Sequence, residues 1–548
     1  MKKILKKSIL VKEIVRAFRN YYIPDWKKIK NISDILSIKN KSVDQKILIA
    51  TGGGGYAAAK QIESLLAAAL TLRGAKVEVL LCDGILPACF QATIDWDSDE
   101  KKYSESGTSR LNCATCFSGA QKTFNNIGIS IVKLSNLISE EKKKKLLSLS
   151  ESIDLDLIKN YSLDGVCIGE HALAGTLRYY AKAYLDDNYS HKVLRRYFNA
   201  ALITHYACKN LFKKKNYHSL VLHHGIYVPQ GIIADTAIQF SIPTSIWHTA
   251  YRKQCLIFSH NGTYHKTLLN EPKNDWNDFE FTERKKKKIE NYLSSRWLGN
   301  EDQISFSKSL KSKSLPIKIN KEISAVLLLT NVLWDAQLHY PNNAFTSMME
   351  WIFFTINYFI NRKDLQLIIR VHPAELTGTL PSRQKVEDEI KKKYKFLPEN
   401  IVIIGPDKSN NTYELAKQCD SAIIYATKAG AELSSMGIIT VVAGEAWIRG
   451  KEFTFDVNSP EEYLKVLQRM PFKEKLSKEK KNLALKYAYH FFFRRMIFIK
   501  SINYVKKHNV FKYSIKDIKE LQPGIDKGLD LICSGILSKK NYIIDDNI

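Results

Sequence analysis

Arg370-Val371-His372-Pro373-Ala374-Glu375 follows directly on the apolar run Leu365-Gln366-Leu367-Ile368-Ile369. A guanidinium, an imidazole and a rigid turn at the end of a buried strand can hold an anion, because open α/β sheets bind ligands at the carboxyl ends of their strands. Pro373 fixes its own φ and biases His372 toward extended backbone, so the imidazole is held in place. Further along, Ala426-Thr427-Lys428-Ala429-Gly430-Ala431-Glu432 stands between an apolar run and a helical stretch. Backbone N–H groups at a helix start, the Thr427 hydroxyl and the Lys428 ammonium together suit a phosphate. Glu432, in the first turns of that helix, can reach ribose hydroxyls while the helix start holds phosphate. Arg370 and His372 can meet the same phosphate from a neighbouring strand, and the chemistry is then stabilisation of charge on a leaving nucleotide. The alternative is a plain strand-end turn, a helix cap at Thr427 and a surface carboxylate at Glu432.

The first half of the chain offers a second set of candidates. Thr51-Gly52-Gly53-Gly54-Gly55 lacks G-x-G-x-x-G spacing, but glycine permits close backbone approach to a sugar or phosphate; a tight turn without ligand is the other reading. Transfer to an acceptor hydroxyl with inversion needs a general base. Glu170-His171 after Val166-Cys167-Ile168, His223-His224 after Leu220-Val221-Leu222, and His248 after Ile246-Trp247 all read as strand ends. Glu170 is the first choice and His223 or His224 the second. Cys82-x6-Cys89 followed by Cys113-x2-Cys116 can supply four thiolates from two loops to a structural zinc ion or iron–sulfur cluster. Buried free cysteines or a redox pair would explain the same residues.

The elements that must position these groups alternate between short apolar runs and helical stretches. Residues 46–50, a glycine loop, a helix over 57–72 and residues 77–81 form a βαβ unit, which implies a parallel sheet. Further strands are expected at 165–168, 219–222 and 244–247, with helices at 172–185 and 192–213. A charged Ser/Lys-rich stretch, 283–319, ends in a linker near 311–320. A second α/β domain follows, with strands at 325–329, 365–371, 401–404, 421–424 and 440–442 and helices at 345–361 and 429–435. The resulting expectation is an α/β protein of two Rossmann-like doubly wound domains facing a central cleft. Its segments are a basic amphipathic stretch 1–45, an acceptor domain 46–315, a nucleotide-sugar domain 320–472, and a basic helical tail 473–548.

Composition narrows the class. With 548 residues, more than one core is expected. At 45% hydrophobic and 11% aromatic residues the chain is globular, which excludes an intrinsically disordered protein. The net charge of +27 attracts anions, from nucleotides to acidic lipid headgroups, without choosing among them. No apolar run is long enough for a spanning helix, the basic N-terminal stretch is too interrupted for a signal-peptide core, and nine cysteines do not make a secreted disulfide scaffold. The expected setting is cytoplasmic, and the basic amphipathic stretch either lies on an anionic inner-membrane surface or packs on its own protein. No nucleic-acid recognition motif accompanies the charge, so nucleic acid is not an expected partner.

Four segments in order, Thr330-Asn331-Val332-Leu333-Trp334-Asp335, Arg370 to Glu375, Tyr425 to Glu432 and Gly450-Lys451-Glu452-Phe453-Thr454-Phe455-Asp456, resemble the bacterial capsule polysaccharide biosynthesis family, which includes Kdo transferases. The resemblance spans most of residues 325–470. It implies a GT-B glycosyltransferase with the donor nucleotide in the C-terminal domain and no catalytic metal. By similarity, His372, Pro373 and Thr427 hold the phosphate of a CMP-linked donor such as CMP-Kdo, and a lipid-linked or polysaccharide glycan is the acceptor. Arg370, Glu375, Lys428, Gly430 and Glu432 complete the expected donor site. Trp334 and Asp335 either close over the donor or pack the domain edge. Thr427-Lys428 departs from the Ser with a small neighbour frequent in relatives, which leaves base and sugar open. The alternatives are transfer of a polyol phosphate from a CDP-linked donor, as in teichoic-acid polymerases, and a non-catalytic membrane- or polymer-binding assembly factor.

Overall fold

A computed structural model describes residues 9–35, 45–298, 302–304, 319–336, 338, 340–408, 411–472, 474–505 and 510–545. The chain forms two compact units. Unit 1 contains residues 1–264, 335–338 and 496–548; unit 2 contains 265–334 and 339–495.

In unit 1, helix α1 (Ile9–Asn20) precedes strand β1 (Lys46–Gly52), helix α2 (Ala57–Leu72) and strand β2 (Lys76–Leu81). Helix α3 (Arg110–Asn125), strand β3 (Ser130–Lys133), helices α4 (Ile168–Tyr180) and α5 (Asn188–Lys214), and strands β4 (Ser219–His223), β5 (Thr244–Thr249) and β6 (Cys255–His260) follow. β1 pairs in parallel with both β2 and β4, as a βαβ unit requires. Its side chains alternate between two buried layers, in keeping with the period of a strand. Leu48 and Ala50 join Tyr197, Phe198 and Leu202 of α5, whereas Ile47 and Ile49 join Leu65, Leu66 and Leu70 of α2.

Unit 2 carries helix α6 (Glu283–Trp297), then β7 (Ser324–Leu329), helix α7 (Met348–Ile360), β8 (Leu365–Arg370), β9 (Ile401–Ile404), β10 (Ser421–Ile424), helix α8 (Ala429–Met436), β11 (Ile439–Val442) and the short β12 (Phe455–Asp456). Its six strands lie in the order β9-β8-β7-β10-β11-β12, and every pairing is parallel. β7 and β8 are almost wholly buried, which explains why both read as continuous apolar runs instead of alternating ones.

Strand β13 (Met496–Phe498) belongs to unit 1, where it pairs antiparallel with β6 and completes the order β3-β2-β1-β4-β5-β6-β13. A hairpin, β14 (Ile502–Val505) with β15 (Val510–Tyr513), and helix α9 (Lys527–Ser538) come next. The tail expected to be helical over 473–548 is helical at Lys478–Tyr489 and Lys527–Ser538, and between them it carries these three strands. Leu529, Ile532 and Ile536 of α9 are buried with α2, and Ser219 of β4 bonds the Ile536 carbonyl at 3.0 Å. The units also depart from the expected segments: residues 265–298 group with unit 2 and 496–548 with unit 1. Most of the expected linker lies outside the described residues. Both sheets are α/β and mainly parallel, as the alternation of elements predicted.

A second correction concerns residues 165–168. Asp164 and Gly165 both take positive φ, at 51° and 77°, and make a tight turn in which Leu163 bridges Val166. Ile168 then opens α4, so Glu170 stands in the first turn of a helix and ends no strand. The apolar run there was too short to tell a strand from a buried helix start.

Candidate functional site

In unit 2, β7 is the first strand, and its neighbours β8 and β10 lead away on opposite sides. Loops leaving β7 and β10 must diverge there, which opens a crevice at the carboxyl ends of the strands. Thr330 and Asn331 follow β7, His372 follows β8, and Thr427 and Lys428 follow β10. The Thr330 hydroxyl accepts the His372 N–H at 3.0 Å, and the Asn331 amide donates to the Ala426 carbonyl. Side chains from the first strand thus tie down both neighbouring turns.

His372 is half-buried. Its Nδ1 accepts the Ala374 N–H at 3.1 Å, an arrangement that Pro373 sets up and that leaves the ring proton on Nε2. Burial, then the positive charges of Lys428 and Arg370, push the imidazole down to about 4. At neutral pH it is an uncharged hydrogen-bond donor. Burial, then Arg296, lowers Lys428 to about 8, while Glu432 opposes the shift. Lys428 immediately precedes α8, and the Thr427 hydroxyl accepts the Ala429 N–H at 3.4 Å. An imidazole N–H, an ammonium and a helix start are thereby gathered at the switch point of one sheet.

Other predicted residues take different places. Arg370 is buried, and its guanidinium donates to the Gly405 carbonyl and, at 3.1 Å, to that of Lys408. It ties β8 to the loop after β9. Glu432 is fully buried; it accepts from Arg296 Nε at 2.8 Å and from Tyr413, and lies 3.4 Å from the Lys428 ammonium. Although burial opposes ionisation, Arg296 and Lys428 hold its carboxyl below the usual range. Arg296 also pairs with the buried Asp302. Glu432 is the hub of an internal ion network in this structure and is not presented to a ribose. Glu375 is likewise buried, accepts the Val386 N–H at 3.2 Å, and is pushed up to about 7 by burial. A Cβ on Gly430 would fall 2.3 Å from Ile448 Cδ1 and 2.6 Å from Ile424 Cδ1, so this glycine lets α8 pack on the sheet. Trp334 is buried and donates to Ser382 at 3.0 Å, the packing alternative of its two readings. Asp335 belongs to unit 1 and accepts the Tyr227 hydroxyl at 2.8 Å.

Unit 1 repeats the topology around β1, which lies between β2 and β4. The glycine turn follows β1, and His223 ends β4 with His224 directly after it. The ring of His224 lies 5.4 Å from His223, 5.0 Å from His248 and 4.9 Å from Tyr227, centre to centre. His224 has a φ of 72°, a backbone state that is rare for a residue with a side chain and that concentrates at functional sites. His223 is pushed far down by burial, then by His248 and Arg178. Arg178 of α4 lies over the Tyr227 ring at 5.2 Å. Beneath this edge Glu63 of α2 is fully buried, accepts the Trp247 indole N–H at 3.1 Å, and is raised to about 7 by burial. Glu170 is half-buried, and its neighbour His171 is taken up by Asp235 and the Ile226 carbonyl.

The four glycines are occupied by the protein itself. A Cβ on Gly52 would lie 3.0 Å from Pro229, on Gly53 3.1 Å from Phe90, on Gly54 2.4 Å from Ala120, and on Gly55 2.9 Å from Asn20. The close approach expected of a ligand is made here by α3 and by the end of α1. Among the described residues, no group of three or more His, Cys, Asp or Glu stands in metal-binding arrangement.

Sequence reasoning had Thr330 and Asn331 within a motif but gave them no role; their place after the first strand of a Rossmann-like sheet was the available signal. Arg296 lay in a charged stretch beside the expected linker, and its partner Glu432 is 136 residues away, so no local signal could pair them.

No protein-family model matches the chain. No curated protein matches it either. The chain is similar to a solved structure of KpsC, a beta Kdo 2,4 transferase of Thermosulfurimonas dismutans. That match has 14% identity and a TM-score of 0.34, over 56% of this chain and 87% of the other. It is also similar to MnaA of S. aureus, solved with UDP, at 10% identity and a TM-score of 0.25 over 81% and 91%. Sucrose-phosphate synthase of Thermosynechococcus elongatus matches at 10% identity and a TM-score of 0.25 over 80% and 94%. With TM-scores below 0.5 these likenesses decide nothing about this chain, whose architecture rests on its own strand order and register.

Proposed function

We propose that the protein is a glycosyltransferase taking its sugar from a nucleotide donor, with the donor phosphate at the β7, β8 and β10 edge of unit 2. The observation that carries this reading is the meeting of His372 and Lys428 at the switch point of a Rossmann-ordered sheet. As the bond from the anomeric carbon to the phosphate oxygen breaks, negative charge grows on that oxygen. The His372 Nε2–H, the Lys428 ammonium and the α8 start offset it without having to reorganise. Thr427 caps the helix start, and Arg370 and Glu432 hold the loops that frame it. The acceptor hydroxyl attacks the anomeric carbon and gives up its proton to a base. Of the base candidates in unit 1, His223 and His224 stand at the end of a strand at that unit's switch point and Glu170 does not.

The donor is, by the order of the four motifs, a CMP-linked acidic sugar such as Kdo, and the product a capsule or other surface polysaccharide. A lipid-linked acceptor fits α1, which exposes Ile14, Val15 and Phe18 on a chain of net charge +27. No helix among the described residues is long and apolar enough to cross a membrane, so the contact with an anionic inner-membrane surface would be peripheral.

A thermal-shift panel with CMP, CDP, UDP and GDP tests the reading. A ligand at about 100 times its Kd adds about 2.7 kcal/mol. Stabilisation by CMP, lost in His372→Ala, is the expected result. Preference for UDP or GDP would retain the transferase and discard the Kdo donor, preference for CDP would turn the reading to polyol-phosphate transfer, and no shift with any of them would end it.

A further inference from the structure

Unit 2 carries a face on which cations stand over aromatic rings. The helix Lys478–Tyr489 ends in a turn of π geometry, His490–Arg495, a rare form that recurs at functional sites. Its rings meet those that precede α6. Phe279 stacks on Tyr489 at 5.9 Å between ring centres, and Tyr489 leads on to Phe493 at 5.2 Å. Phe281 lies 6.2 Å from Phe279 and 6.0 Å from Tyr489. Phe279, Phe281 and Phe493 are half-buried, so together they form a floor.

The cations are gathered over that floor. The Arg494 guanidinium stands 4.4 Å from the centre of the Phe279 ring, the Lys486 ammonium 5.2 Å and the Lys285 ammonium 5.5 Å. Lys288 lies 4.5 Å from the centre of Phe493. Arg494, Lys486 and Lys285 also donate to the carbonyls of Asp275, Asn277 and Glu280 in turn, which fixes them without adding negative charge. Burial holds Lys486 below its ordinary range; Asp278 opposes that shift and Arg494 reinforces it. Like charges round one ring repel one another, and the ring offsets this only in part.

A second observation lies on α6 itself. Residues 283–288 hold five cations and one carboxylate, and Arg284, Lys287 and Lys288 are exposed. Further along the same helix, Arg296 is the cation bonded to Glu432 beside Lys428. At about 1.5 Å per residue, Lys285 stands roughly 16 Å along the helix from Arg296. One rigid element therefore links the basic face to the framework of the donor edge.

We propose that this face of unit 2 binds an acidic glycan, a polymer with carboxylates on spaced sugar units. The carboxylates pair with the ammonium and guanidinium groups, the C–H faces of the sugars lie on the rings, and no bond is made or broken. Cations already fixed over rings lose little freedom when the polymer docks. A lipid surface calls instead for projecting apolar groups, as α1 supplies with Phe18 at 77% exposure. The choice of a glycan rests on the glycosyltransferase reading, whereas the cation-rich floor does not.

The test is binding of fluorescently labelled polygalacturonate oligomers to the full chain, with dextran as the neutral control. Expected is saturable binding that weakens as salt is added, and none of dextran. Lys287→Glu with Lys288→Glu should weaken binding about tenfold. Lys144→Glu with Lys145→Glu makes the same charge change on an exposed lysine-rich helix of unit 1, Glu140–Ser152. It should leave binding within about twofold of wild type. Nucleotide binding is read separately by thermal shift. A chain that binds the oligomer but no nucleotide would uphold this face and end the donor reading; one that binds nucleotide but no oligomer would overturn this proposal alone. Equal weakening in the two double variants would overturn it by making net charge alone responsible. Tighter binding to phosphatidylglycerol vesicles than to the oligomer, lost with Lys287 and Lys288, would overturn it in favour of a lipid surface.

Discussion

The two sheets share a strand order and differ at the place where that order makes a crevice. In unit 2 the switch point gathers Thr330, His372, Thr427 and Lys428, with a helix start behind them. In unit 1 it gathers His223, His224, His248 and Tyr227, and the turn after its first strand is filled by α3 and the end of α1. A glycine-rich turn after a first strand would ordinarily suggest a phosphate site, yet here the imidazole and ammonium meet at the edge without glycines in that turn. Topology sets where a ligand can dock, and the side chains there set which ligand it is. Neutral donors and an ammonium favour phosphate, whereas clustered imidazoles and phenols favour hydroxyl-bearing ligands and proton transfer.

Four experiments bear on this contrast. The largest expected effect concerns the scaffold of the unit 2 edge. Arg296→Met leaves Glu432 and Asp302 buried without their shared cation and should cost about 3–5 kcal/mol in denaturant unfolding. Stability close to wild type would remove Glu432 from the role of hub. Next, His372→Ala should reduce turnover about 100-fold, or about 2.7 kcal/mol, and abolish the nucleotide-induced thermal shift. His223→Gln should keep that shift, because it lies at the other edge, and loss of the shift in both variants would break the contrast. Third, Gly54→Ala drives a Cβ against Ala120 and the Cys116 backbone and should cost about 1–3 kcal/mol, read as a lower melting temperature. An unaffected Gly54→Ala protein would mean that the turn is looser than its contacts indicate.

The smallest effect is a pH dependence beneath the unit 1 edge. Glu63 has its carboxyl raised by burial to about 7, so the folded chain holds a proton there that the unfolded chain releases nearer to 4.5. That contribution to stability is complete below the lower value and is lost as pH rises through the upper one. Glu63→Gln keeps an acceptor for Trp247 and cannot ionise. Relative to wild type it should gain roughly 1–2 kcal/mol between pH 5 and pH 6.5. A difference that stays flat across this range would show that Glu63 is already ionised at pH 5.

Legibility in the sequence followed the range of the interaction. The strands β1, β2, β4, β5 and β7 to β11 were readable because runs such as Ala325 to Leu329 pack on both faces and carry no polar residue. β3, β6 and β12 to β15 were missed; Cys255 to His260 alternates weakly, and Met496 to Phe498 is a strand only through pairing with β6. Of the residues expected at a donor site, His372, Thr427 and Lys428 follow the strand ends at which the sequence put them. Arg370, Glu375 and Glu432 had the right types but turn into the protein, because each found a partner that a local reading cannot see. Glu170 was misplaced by one error of element type.

By itself the sequence determined the alternation of strands and helices, the two α/β units, and the imidazole and ammonium at strand ends, because periodicity and strand-end turns are local properties. Only the tertiary structure decided which strand neighbours which, and so where the crevices open. It also assigned Glu432 to Arg296, gave residues 496–548 to the first unit, and set Lys285, Lys486 and Arg494 around one ring. Those outcomes depend on burial and charge pairing between residues tens to hundreds of positions apart, and such contacts exist only once the chain has closed on itself.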